Sequence, residues 1–105
     1  MELKFIKEVV ILSCRFKVIY DKKTDAGEFM WGEKDIITIG IKNYKNNPEY
    51  TISILTHELM ELILSMIGAR YSHSRIDNNY LFNYDHQTFE NSIQVFTETF
   101  NKFIK

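Results

Sequence analysis

A single cysteine, Cys14, and a single proline, Pro48, stand among 105 residues. One thiol cannot build a disulfide framework within a chain, so no covalent staple holds this fold. Cys14 also lacks the helix start or basic setting that marks a reactive thiol. It reads as a small, partly buried hydrophobe in a reducing, intracellular setting. With only four glycines, the sequence has no glycine-rich phosphate loop. Long apolar runs are missing too. The start, "MELKFIKEVVIL", is interrupted by Glu2, Lys4, Lys7 and Glu8, which is too short and too charged for a signal peptide or a membrane span. A cytoplasmic protein with no membrane partner is the expectation. Nor does either sign of charge dominate: 13 basic against 14 acidic residues leave a formal net charge of -1. Without a basic field, this composition argues against nucleic acid as a partner. Lys42, Lys45, Lys102 and Lys105 are scattered, as on a solvated surface.

What remains is ordinary globular composition, rich in Phe and Tyr, at a length suited to one domain over residues 1–105. Leu3, Ile6, Val9, Val10 and Ser13 recur at helical spacing, which predicts a first helix over residues 2–13, although "VVIL" also fits a strand. "RFKVIYD" alternates, with Phe16, Val18 and Tyr20 on one face, and reads as a strand. "DKKTDAG" is turn chemistry. "EFMW" and "DIITIGI" flank "GEKD" as the two arms of a hairpin. In "NNPE", Asn47 caps a helix, Pro48 takes its first position and Glu49 its first turn. That helix runs to about Gly68, which ends it. A polar, irregular stretch from Tyr71 to Tyr84 follows, with a short strand at "YLF". Asp85 caps a last helix whose stripe is Phe89, Ile93, Phe96, Phe100 and Phe103. The expected fold is α+β: a small antiparallel sheet packed on a central helix, with helices at both termini.

The central helix is unusual for what it omits. From Thr51 to Ala69 there is no lysine or arginine. At about 100° per residue, Glu61 falls about 40° and Glu58 about 100° from His57, so all three share one sector. A solvated face normally mixes both signs of charge. Two carboxylates beside one imidazole need partners wherever they are buried, and a divalent cation is an efficient one. The alternative is a plain bond from His57 to Glu61 across one turn.

The hairpin "EFMWGEKDIITIGI" followed by "YTISILTHELMELIL" resembles the zincin superfamily of metalloproteases. There a His-Glu-x-x-His helix supplies two zinc-binding histidines, and the glutamate activates water. The resemblance implies a zincin-like fold, His57 as a metal ligand and Glu58 as the general base. Glu61 stands where the second histidine belongs. A glutamate there is chemically sound, because a carboxylate oxygen binds zinc at a distance close to that of an imidazole nitrogen, and positions i and i+4 share a face. The added negative charge makes bound water less acidic and favours Mn²⁺ or Fe²⁺ more than usual, with Zn²⁺ still the expected metal.

A third ligand must come from elsewhere. His73 requires the chain to double straight back after Gly68. His86, on a longer tether at the start of the last helix, is the preferred donor. Glu90 follows His86 by four residues, as Glu61 follows His57. Two such pairs on facing helices would close the coordination sphere and make the metal structural; otherwise Glu90 belongs to the polar face of its helix. Tyr71, Tyr80 and Tyr84 bracket the loop before His86, where a hydroxyl near the metal would stabilise an oxyanion, but edge-of-core tyrosines are the plainer reading. Arg70 and Arg75 suit a substrate anion, or a pairing with Asp77. Ser13 and Ser65 lack a His-Asp arrangement.

The leading expectation is a metal-dependent hydrolase acting on a peptide or protein substrate, with His57, Glu61 and His86 as ligands and Glu58 as base. The second is a non-enzymatic interaction protein with a structural metal or none, in which an apolar strip serves as a homodimer face. The third is a metal-dependent RNA hydrolase. It is suggested by "YDH", which resembles the end of the metal motif of small bacterial ribosomal-RNA endonucleases.

Overall fold

Val9 and Ile11 point into the core while Glu8 and Val10 point out, and this period of two decides the start of the chain. In the computed structural model, residues 1–68 and 85–105 are described in full, together with the backbone of residues 70–72 and 80–82. Among the described residues eight elements follow in order: β1 (Glu8–Ile11), β2 (Cys14–Asp21), β3 (Gly27–Met30), β4 (Ile36–Gly40), α1 (Pro48–Met66), β5 (Arg70–Ser72), β6 (Tyr80–Phe82) and α2 (His86–Phe103).

The expected first helix is therefore a strand. Residues 8–11 pair antiparallel with 14–17 through a two-residue turn. Leu12 and Ser13 at that turn have φ of 48° and 68°. Two positive φ values in a two-residue hairpin loop make the primed turn whose twist suits paired strands. The usual Asn-Gly signal is absent, and Leu3, Ile6 and Val9 happen to fall at helical intervals. Both facts concealed the hairpin.

The main sheet has the order β1-β2-β4-β3. β1 and β2 are antiparallel, β3 and β4 are antiparallel, but β2 and β4 run parallel. The expected antiparallel sheet is thus mixed. After β2 the chain crosses to the outer position, forms β3, and returns through the expected hairpin to fill the slot between them. Alternation along a strand is the same in either direction, so the pattern could not reveal this. Three backbone bonds seal the crossover: Gly40 N–H donates to Ala26 O (2.7 Å), Ile41 N–H to Asp21 O (2.8 Å) and Lys42 N–H to Thr24 O (3.1 Å). Gly40 is required there, because a Cβ would strike the Thr24 and Ala26 carbonyl oxygens.

Both helices lie on one face of this sheet. The core joins Val9, Ile11, Phe16, Val18, Ile37 and Ile39 from the strands to Leu55, Leu59, Leu62 and Ile63 of α1, with Leu3 and Phe103. α1 starts as expected: the Asn47 side chain accepts from Tyr50 N–H, and Pro48 takes the first position. Gly68, at φ 78°, follows its end. Asp85 caps α2 through Thr88 N–H at 2.8 Å. Its contact face keeps only part of the expected stripe: Phe103 is in the core, and Phe96 and Phe100 pack against it. Ser92, Thr99 and Phe103 are buried, whereas Phe89 and Ile93 are exposed. Ser92 and Thr99, which lie off the stripe, share the buried face with Phe103. The short strand expected at "YLF" is β6, which pairs with β5. No helix among the described residues is long and apolar enough to cross a membrane.

Candidate functional site

The middle of α1 faces an open cleft of about 700 Å³, lined by Thr24, Asp25, Ala26, Gly27, Tyr50, Ser53, Ile54, His57 and Glu58. One wall is the turn 24–26 and the start of β3, the outermost strand; the other is the helix. Sequence patterning puts His57 and Glu58 here. Tyr50, seven residues before His57 on the same helix, shares that face, but the pattern does not put Thr24 and Asp25 here, because they come from a turn that only the crossover brings against the helix.

The predicted site residues divide by burial. Glu58 is only 8% exposed, while the His57 side chain is 63% exposed. The sector that groups His57, Glu58 and Glu61 therefore straddles the edge of the core, with Glu58 beneath β3 and His57 above it. Gly27 is the point of closest approach. A Cβ at Gly27 would lie 2.6 Å from Glu58 Cγ and 2.8 Å from Ile54 Cγ2. The turn that carries this strand is tied down: Asp25 accepts from Asn43 N–H (3.0 Å) and from Asn43 Nδ2 (2.6 Å), and Thr24 Oγ1 accepts from Ala26 N–H (3.0 Å).

His57 Nε2 lies 3.2 Å from Glu61 Oε1. Two donors bound to one tetrahedral zinc at about 2.0–2.1 Å would be separated by about 3.3 Å, so this pair has the bite of a chelate as well as the length of a hydrogen bond. His86 and Glu90 form a second pair of the same spacing at 2.9 Å, with both side chains mostly exposed. The two pairs stand apart along the helices. Pro48 of α1 and Lys105, just past α2, line one recess, and Arg70 pairs with Phe82 between the other ends, so α2 runs antiparallel to α1. His86 consequently sits toward the last turn of α1, beyond Glu61. Among the described residues no three His, Cys, Asp or Glu side chains are placed to hold a metal ion together. The fit to a metal is thus two donors at ligand spacing, with the third not assembled beside them.

His73, Arg75, Asp77 and Tyr84 lie outside the described residues, and for Arg70, Tyr71 and Tyr80 only the backbone is described. Comparison with protein-family models, curated proteins and solved structures gives no match to this chain.

Proposed function

We propose that this chain is a zincin-like, metal-dependent hydrolase of peptide bonds, with its reacting centre at His57, Glu58 and Glu61. The observation that carries the reading is the burial of Glu58 at a cleft wall, beside an exposed histidine that is already bonded to Glu61.

The residues that would hold the metal are His57 and Glu61; His86, the third donor expected from the sequence, does not stand beside them, so the remaining positions would fall to water or substrate. When bound, the divalent ion, Zn²⁺ or else Mn²⁺ or Fe²⁺, supplies a Lewis acid for the scissile carbonyl and lowers the pKa of water. Glu58 accepts one proton from water as the water oxygen bonds to the carbonyl carbon. It then delivers that proton to the leaving nitrogen as the C–N bond breaks. The open cleft beside β3 suits an extended segment.

The test is hydrolysis of a fluorogenic peptide library by zinc-loaded protein, with elemental analysis of the same samples. Glu58→Gln abolishes turnover and keeps the metal if the reading holds. Loss of metal from Glu58→Gln would make Glu58 a ligand and overturn its role as base.

A second reading is favoured by one observation. Among the described residues, His57 and His86 each have a carboxylate partner on their own helix, and Met30 and Trp31 are exposed at the end of the outer strand. Such a chain would act by binding, without a metal. A metal-free protein whose melting is unaffected by His57→Ala supports this reading over the first.

A further inference from the structure

We infer that Gly27 positions the Glu58 carboxylate at the cleft, an assignment that rests on the hydrolase reading above. Gly27 has no positive φ, so backbone conformation does not demand glycine there. What demands it is contact. A Cβ would meet Glu58 Cγ at 2.6 Å, Ile54 Cγ2 at 2.8 Å and Glu58 Cδ at 3.2 Å. The strand backbone therefore lies directly on the aliphatic stem of Glu58 and limits the rotamers it can take.

The strand cannot easily yield in response. Gly27 pairs with Ile39 in the sheet. The preceding turn is bonded to the end of β4 at Gly40 and to Lys42 and Asn43 beyond it. A methyl group at residue 27 must then displace the helix side chains. Ordinary carbon contact begins near 3.4 Å, so Glu58 Cγ must retreat by about 1 Å. A shift of about 1 Å in a reacting group can cost about 100-fold in rate. Gly27 touches no reacting atom in this scheme; it acts through Glu58.

A packing role and a positioning role separate by relieving one clash at a time. Gly27→Ala, Ile54→Ala and the double variant are compared by peptide turnover and thermal melting. Gly27→Ala is expected to lower kcat by about 100-fold and to change KM by less than about threefold. Adding Ile54→Ala removes only the Cγ2 contact, so relative to Ile54→Ala the double variant should keep at least half of the melting loss, and the kcat defect with it, because the clash with Glu58 remains. Recovery of kcat together with melting would reduce Gly27 to a packing residue and overturn the inference.

A second measurement needs no activity. In a Glu58→Ala background, Cγ and Cδ are gone, and Gly27→Ala should cost no more than half the melting shift it causes in the wild type. Equal shifts in the two backgrounds overturn the positioning role. If Gly27→Ala alone fails to fold, folding of Gly27→Ala/Glu58→Ala is the strongest form of the expected coupling. An inactive wild type sinks the hydrolase reading instead, and this coupling alone then decides whether Gly27 sets Glu58.

Discussion

His57 Nε2 and Glu61 Oε1 lie 3.2 Å apart across one turn of α1, on the solvent side of a helix whose next residue, Glu58, is buried. The spacing serves a hydrogen bond or a shared cation equally well. Competition between the two is measurable. Zinc titrated into untagged protein should bind stoichiometrically, and His57→Ala or Glu61→Ala should weaken it at least about tenfold, the scale seen when a coordination shell is disturbed. His86→Ala tests the third donor in the same titration. Unchanged zinc affinity in all three variants rejects the metal site.

The primed turn carries an avoidable strain. Leu12 and Ser13 hold φ of 48° and 68°, where a side chain costs about 1–2 kcal/mol per residue relative to the usual region. Replacing the pair by Asn-Gly keeps the turn and removes most of that strain. Melting should rise by about 4–8 °C per kcal/mol recovered. No rise, or a fall, would mean that the exposed Leu12 side chain is itself stabilising.

Alkaline pH should reach the fold through Tyr20. Its hydroxyl donates to the Ile6 carbonyl at 3.0 Å, and burial pushes its pKa up to about 12. The unfolded side chain titrates near 10. Because the folded value is the higher one, the stabilisation is complete below pH 10 and is lost as pH rises toward 12. Tyr20→Phe should lose about 1 kcal/mol at neutral pH with the hydrogen bond. It should also flatten the stability profile between pH 10 and 12, as followed by circular dichroism.

Acid should act at the start of α2. The Thr88 backbone N–H and side chain, both bonded to Asp85, hold its carboxyl below the usual carboxylate range. A depressed folded value means that its contribution is present above the unfolded pKa and disappears as pH falls through the folded one. Asp85→Ala should lower the melting temperature at pH 7 and make little difference at pH 2. An equal loss at both pH values would show that the cap does not depend on charge.

The faces of α2 give a contrast of opposite size. Phe103 is fully buried and Ile93 is 44% exposed, although both belong to one apolar stripe in the sequence. Phe103→Ala should cost about 3–5 kcal/mol, whereas Ile93→Gln should stay within about 0.5 kcal/mol. Urea melts of the two variants check this directly, and comparable losses would place both residues in the core.

Much of this protein is local and therefore legible from its residues. Asn47 and Pro48 start α1, Gly68 follows its end, Asp85 caps α2, and alternation marks β2 and the β3–β4 hairpin. Caps and periodicity act within about four residues, so a linear pattern contains them. His57 and Glu58 could be singled out for the same reason, since their helix has no lysine or arginine to balance them. Only the tertiary structure decided the rest. β4 enters between β2 and β3 because of pairing across the sheet, and α2 buries Ser92 and Thr99 beside Phe103 while Phe89 and Ile93 stay exposed, because the surfaces it meets set how the helix is turned. Asp25 joins the cleft, and Gly27 comes to rest on Glu58, only after the crossover brings β3 against α1. Their sequence separation places that contact beyond any helical or strand period, and it exists because two backbones can approach where one residue lacks a Cβ.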